Sequence, residues 1–189
     1  MLEVSIRGNS TTPVQIVNKV KRRHQDNPIN MNRIFLFALI FSMSLPTYSW
    51  GQLQLPGDIT AEQATRILKK AADQAKAEGI LINIAIVDAG ANLKSFLRMD
   101  GSYLGSIDVA IKKAKTARYF NIPTEELGKI AQPGEAIYNI EHSNGGLITF
   151  PGGVPIKDKQ GTIIGAIGIS GGTIEQDRDI AKAAAQSIL

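Results

Sequence analysis

The segment Glu141-His142-Ser143-Asn144-Gly145-Gly146 contains the side chain with the widest chemical range in the C-terminal part of the chain. His142 is the only histidine of residues 50–189. A neutral imidazole is a common metal ligand in proteins and an axial ligand of haem iron. A lone imidazole beside a glycine-rich wall predicts a small-molecule site rather than a catalytic triad. The alternative interpretation is that the ring only forms a hydrogen bond within the turn around Ser143 and Asn144.

The composition restricts the metal chemistry that His142 can support. The chain has no cysteine, and a structural zinc site needs three or four His or Cys ligands. One histidine in residues 50–189 also excludes bis-histidine haem ligation within one such subunit. If haem binds, its second axial ligand must be Tyr, Met, water or a neighbouring subunit.

Other candidate residues have structural interpretations. Gly168-Ile-Ser170-Gly-Gly172 matches the pattern of a hydrolase nucleophile, but no histidine follows Ser170, so the pattern predicts a strand-to-helix turn. Arg98 could bind a carboxylate with both guanidinium nitrogens, or pair with Asp100 at the surface. Four basic residues on one helix predict a solvated face: Lys112, Lys113, Lys115 and Arg118.

The pattern of apolar residues predicts the elements that position these side chains. Thr60-Ala-Glu-Gln63 and Thr173-Ile-Glu-Gln176 are capping boxes that begin helices, and Gly79 follows the first helix. Further helices are predicted from Ser106 to Asn121 and after Thr124-Glu-Glu126, with an irregular stretch over 131–143. Five short strands are predicted: 80–87 and 93–99, which form a hairpin, and 147–150, 153–157 and 162–169. Hairpin-length links between strands imply an antiparallel sheet with helices packed on it, an α+β fold.

The N-terminal residues have the pattern of an export signal. Met31-Asn-Arg33 precedes an apolar run, Ile34 to Leu45, and small residues follow it at Thr47 and Ser49. This order is typical of a secretory signal peptide, and the run is shorter than the roughly 20 residues that a membrane-spanning helix needs. We therefore expect residues 31–49 to be a signal peptide, with cleavage after Ser49 or Gly51. Residues 1–30 are then either an over-extended start or a disordered basic arm.

The charge distribution supports this division. Residues 1–30 hold five Lys or Arg and two Asp or Glu, whereas residues 50–189 hold fifteen of each sign. The basic balance therefore belongs to the N-terminal part. Residues 50–189 form one domain without the electrostatic pattern of a nucleic-acid-binding protein.

Seven segments, in order along the chain, resemble the GlcG/HbpS family of haem-binding proteins. They are Ile84-Ala-Ile-Val-Asp-Ala-Gly90, Phe96-Leu-Arg-Met-Asp-Gly101, Gly105-Ser-Ile-Asp108 with Lys113-Ala-Lys-Thr-Ala117, Gln132-Pro-Gly134, Glu141-His-Ser-Asn-Gly-Gly146, Phe150-Pro-Gly-Gly-Val-Pro155 and Gly165-Ala-Ile-Gly-Ile-Ser-Gly171. The His142 segment is most similar to the subgroup that resembles the C-terminal domain of PduO-type corrinoid adenosyltransferases. Because no adenosyltransferase domain is present, that activity is not expected here.

The resemblance implies an antiparallel sheet of about five strands sandwiched by helices, homo-oligomers, and haem or corrinoid as ligand. Some family members ligate haem through a histidine in or near the first helix, and residues 58–80 contain none. We therefore expect His142 to be the metal ligand. Asn144, Tyr138, Gly145 and Gly146 are expected to line the site, with Arg98 as a further ligand-binding residue.

The leading functional hypothesis is a secreted or periplasmic, non-enzymatic binding protein for haem or a related tetrapyrrole. It predicts no nucleic-acid partner and no membrane span after signal cleavage. The second hypothesis is an enzyme or accessory protein acting on a small hydroxy acid or aldehyde. In that case Arg98 would bind the carboxylate and His142 would transfer the proton. A third is a purely structural oligomer module.

Overall fold

The computed structural model describes residues 57–188. The predicted segments 1–30 and 31–49 lie outside the described residues. The α-helices and strands follow one another as α1 Ala61–Ala77, β1 Asn83–Asp88, β2 Leu93–Arg98, α2 Gly105–Phe120, α3 Thr124–Ile130, β3 Gly153–Lys157, β4 Ile163–Ser170 and α4 Ile174–Ala185.

The two predicted capping boxes begin α1 and α4. At α1, the N–H of Gln63 donates to Thr60 Oγ1 at 3.0 Å, and the N–H of Thr60 donates to Gln63 Oε1 at 2.8 Å. Thr173 has the same reciprocal arrangement at the start of α4. After α1, Gly79 takes φ +70°, the left-handed conformation that glycine adopts at a helix C-terminus without steric cost. Asn121 ends α2 with φ 58°.

The strands form one antiparallel sheet in the order β2-β1-β4-β3. The predicted α+β class and the predicted hairpin between β1 and β2 are confirmed. The turn of that hairpin is stabilised by Asp88 Oδ1, which accepts from the N–H groups of Gly90 and Asn92 at 2.8 Å. Asp158 has the equivalent role between β3 and β4.

The strand predicted at 147–150 is wrong, so the sheet has four strands rather than about five. The N–H of Leu147 donates to the carbonyl of Glu141 at 2.9 Å. The N–H of Ile148 donates to Thr116 Oγ1, a side chain of α2, at 3.1 Å. These donors are therefore used by loop and helix partners, and this short apolar run does not join a ladder.

Helices cover the sheet on both faces, as the resemblance implied. Isoleucines of the central strands pack with α1 and α4 on one face: Ile84, Ile86, Ile167 and Ile169. On the other face Ala85, Val87 and Ala166 pack with the alanines of α2. Because side chains alternate along a strand, each central strand supplies both cores. The small residues facing α2 let that helix approach the sheet closely.

The beginning of α3 differs from the prediction in one detail. Pro123, not Thr124, is the N-cap residue, and Thr124 is the first helical residue. The hydroxyl of Thr124 is buried and accepts from the N–H of Gly153 at 3.0 Å. Thr124 therefore connects α3 to the first residue of β3 instead of capping its own helix.

Candidate functional site

His142 ends a single turn of 3-10 helix, Ile140–His142, in the irregular connection between α3 and β3. The hydrogen bond from Leu147 N–H to the Glu141 carbonyl, 2.9 Å long, closes residues 142–146 into a compact loop. We call residues 142–146 the His142 loop. His142 directly follows Glu141, and Gly146 directly precedes Leu147.

The chain on either side of the His142 loop is fixed to the rest of the domain. Ile148 N–H donates to Thr116 of α2, as described above. The hydroxyl of Thr149 donates to Glu141 Oε1 at 2.8 Å. The Glu141 carboxylate therefore binds a residue of the same connection between α3 and β3. The hydrogen bond from Ile148 to Thr116 holds this connection against α2.

The predicted site residues between 138 and 146 lie on one exposed segment. The His142 and Asn144 side chains are exposed, and Tyr138 is 55% exposed. Asn144 takes φ 52°, and Gly145 and Gly146 take φ 73° and 101°, so three successive residues form a left-handed turn. The imidazole is therefore accessible to solvent, as the ligand hypothesis requires.

Arg98 lies elsewhere. It is the last residue of the edge strand β2 and is paired with Asn83 of β1. The connection between α3 and β3, which contains His142, leads into the strand at the opposite edge of the sheet. His142, Asn144, Tyr138 and the two glycines thus lie on one connection, and Arg98 lies at the end of a different element.

The prediction that Lys113 lies on a solvated face is wrong. Lys113 is fully buried, and its ammonium donates to Asp177 Oδ2 and to the Ile169 carbonyl, both at 2.8 Å. The Phe150 ring centroid lies 4.7 Å from Nζ, within the range of a cation–π contact. A buried charge is stable only with such partners, because burial removes its hydration.

Burial dominates the electrostatics of this pair. It lowers the pKa of Lys113, while the charge and hydrogen bond of Asp177 raise it. Burial likewise raises the pKa of Asp177, opposed by Lys113 and by backbone N–H groups of Gly171 and Gly172. The sequence contains one signal of this role, since Lys113 lies three residues after Ala110 and four before Ala117, on the buried stripe of α2.

A cleft of about 610 Å³ opens where β1 begins and where β2 and β4 end. Its walls are Glu78, Gly79, Ile80, Leu81, Gly101, Ser102, Tyr103, Gly171, Gly172, Thr173 and Gln176. Buried polar side chains hold both sides: Asn83 Nδ2 donates to the Tyr103 carbonyl at 3.1 Å, and Gly172 N–H donates to Asp177 Oδ1 at 3.0 Å. No His142-loop residue is among these walls.

Among residues 57–188, no group of three His, Cys, Asp or Glu side chains could hold a metal ion. Within the same range, no helix is long and apolar enough to cross a membrane. An iron held by a macrocycle needs from the protein only an axial ligand. The exposed imidazole of His142 fits that requirement, and Tyr138 and Phe150, which is 42% exposed, are aromatic side chains on the same connection.

Comparison with known proteins places these features in a family. The family model described as "Haem degrading protein HbpS-like" matches residues 59–186. The corrinoid adenosyltransferase PduO of Salmonella typhimurium is 38% identical over 124 residues, which are 65% of this chain and 37% of that protein. The chain thus spans little more than a third of that relative.

Solved structures with the same fold include one in complex with haem. A structure of PduOC in complex with haem matches with a TM-score of 0.65 and 35% identity, over 70% of this chain and 97% of the other. A double mutant of HbpS from Streptomyces reticuli matches with a TM-score of 0.63 and 32% identity, over 71% and 90% of the two chains.

Proposed function

The chain belongs to the HbpS-like family, and on that premise we propose that it is a binding protein for haem or a related tetrapyrrole, including corrinoids. The observation that carries the proposal is the likeness to PduOC, solved as a haem complex, at 35% identity over 70% of this chain. In this proposal the binding partner is a small molecule and not a nucleic acid. The exposed imidazole supports this role, because the nitrogen that binds the iron must be accessible to the ligand.

In this proposal His142 is the axial ligand. Bound haem supplies an iron that accepts one imidazole nitrogen. Asn144, Tyr138, Gly145 and Gly146 line the ligand beside His142, and the two glycines add no side chains of their own there. Tyr138 offers an exposed ring against which a flat macrocycle can stack.

A hemin titration of the purified full-length protein tests this assignment. We expect a shifted Soret band, and we expect His142→Ala to lower the affinity by more than about tenfold, because loss of the axial ligand removes the coordinate bond. Arg66→Ala, which removes an exposed side chain of α1, is the control and should leave the titration unchanged. An unchanged titration in His142→Ala would remove this residue from the site.

A second candidate function is chemical turnover of the bound haem, which the family description "Haem degrading protein" favours. A loss of Soret absorbance over time, in the presence of a reductant and dioxygen, would indicate turnover. The alternative of an enzyme or accessory protein for a hydroxy acid or aldehyde required Arg98 and His142 to act together. Within the described residues of one chain, Arg98 ends the edge strand β2, whereas the connection that carries His142 leads into β3 at the other edge.

We further propose that the protein is exported to the periplasm or secreted, and that it forms homo-oligomers. The leader pattern of residues 31–49 supports export. Large apolar side chains exposed beside the cleft support assembly, since such patches mark interaction surfaces. They are Leu81, Tyr103, Leu104 and Ile174.

A further inference from the structure

One basic side chain of α2 lies directly against the His142 loop. A Cβ atom built on Gly146 would be 3.1 Å from Lys112 Nζ and 3.4 Å from its Cε, so the end of this lysine packs on the glycine backbone. The Lys112 side chain is 32% exposed. The ammonium of Lys112 therefore lies next to Gly146, the last residue of the His142 loop.

The charges around Lys112 leave it able to bind an anion. It forms an ion pair with Asp108, one helical turn earlier, with an Nζ–Oδ2 distance of 2.8 Å. The Asp108 side chain is 68% exposed, and such surface pairs contribute little free energy because water screens them. Glu141, the acid that precedes the His142 loop, accepts from Thr149. An ammonium has three N–H donors, and Asp108 does not use all of them.

The other basic residues of α2 are placed differently. Lys113 is buried against Asp177, and Arg118 Nη1 donates to Asn121 Oδ1. Lys115 lies three residues after Lys112, one turn along on the same side of the helix, but the three atoms nearest a Cβ on Gly146 all belong to Lys112. Among the described residues of α2, Lys112 is therefore the cation that the His142 loop contacts.

We propose that Lys112 recognises a carboxylate on the ligand held by the His142 loop, and so selects tetrapyrroles that carry free acid side chains. This inference rests on the proposed function. A porphyrin such as haem has two propionates at its edge, away from the iron. A cation beside the loop, rather than at the imidazole, is what those carboxylates require. A lysine serves this purpose as a mobile point charge and tolerates some variation in carboxylate position.

The test compares hemin with hemin dimethyl ester, in which both propionates are neutral. We expect the full-length protein to bind hemin roughly tenfold more tightly than the diester, the effect of one charge-assisted contact. Lys112→Gln should remove this preference and leave the affinity for the diester unchanged. Lys69→Gln, which changes an exposed cation of α1 on the other face of the sheet, is the control and should keep the preference.

A second variant keeps the test independent of any loss of folding. Asp108→Asn removes the competing carboxylate and should tighten hemin binding without changing diester binding. A preference that survives Lys112→Gln, or a wild-type protein that binds both ligands equally, would overturn the role of Lys112 while leaving haem binding intact. Binding of neither ligand would refute the proposed function and this inference together.

Discussion

Lys113 and Asp177 show how a single residue pair organises several segments. The ammonium joins α2 to the carbonyl of Ile169 in β4 and to the carboxylate of α4. That carboxylate also accepts from the N–H of Gly172 in the cleft wall. Gly152 packs against the same ammonium, where a Cβ would come within 2.7 Å of Nζ. The pair thus connects the segment after the His142 loop to the wall of the cleft.

We expect Lys113→Met or Asp177→Leu alone to lower the free energy of unfolding by about 3–5 kcal/mol, because each leaves an unpaired buried charge. The double variant should lose much less than the sum of the two, since no charge then remains buried. Urea denaturation measures all three. Lys129→Met, which breaks the exposed pair with Glu126, is the control and should change stability by less than about 1 kcal/mol. Single-variant losses as small as the control would contradict this account.

The packing of α2 on the sheet depends on a glycine of β4. A Cβ on Gly168 would lie 2.0 Å from the carbonyl oxygen of Ala110 and 2.6 Å from the nitrogen of Ala114. Both are backbone atoms of the helix and cannot rotate away. The close packing of α2, the helix that contacts the His142 loop, therefore requires a residue without a side chain at position 168.

Gly168→Ala should lower the free energy of unfolding by about 3 kcal/mol or more, because the added methyl must push α2 away from the sheet. Gly105→Ala is the matched control. A Cβ there meets nothing within 4 Å, and alanine favours the first turn of the helix, so we expect unchanged or slightly higher stability. Thermal denaturation of both variants measures the difference. Equal melting temperatures would show that the helix adjusts without cost.

At the scale of the whole molecule, the family match and the charge balance define nearly the same range of residues. The match covers residues 59–186, within the range of 50–189 that holds fifteen charges of each sign. The excess positive charge belongs to the N-terminal part, where the leader pattern lies. The proposals of export and assembly therefore concern a charge-balanced domain.

Expression of the full 189-residue chain in a bacterial host tests both proposals. We expect the protein in the exported fraction to begin at Trp50 or Gln52, because small residues precede these positions as signal cleavage requires. Native mass spectrometry of that fraction should give a multiple of the subunit mass, together with any retained ligand. A cytoplasmic protein that begins at Met1 or Met31 would refute export, and a monomer would refute assembly.

Much of the fold and part of the site could be predicted. The capping threonines, Gly79 after the first helix and the hairpin of the first two strands are confirmed, because caps and tight turns depend on hydrogen bonds between residues that are close in the chain. The α+β antiparallel class followed from the short links between strands. The position of His142 on an accessible glycine-rich turn also agrees with the pattern of its own segment. Its role as a ligand stays a prediction.

The sequence by itself determined the local elements, the family and the lone imidazole, since these depend on neighbouring residues. The tertiary structure alone decided which groups pair with Lys113, that the run at 147–150 is not a strand, and that Arg98 ends one edge strand while the connection carrying His142 leads into the other. The partners that settle Lys113 are 56 and 64 residues away, and Ile148 bonds to a residue 32 positions away. Such contacts form only when helices pack on the sheet, so a periodic pattern within one helix cannot reveal them.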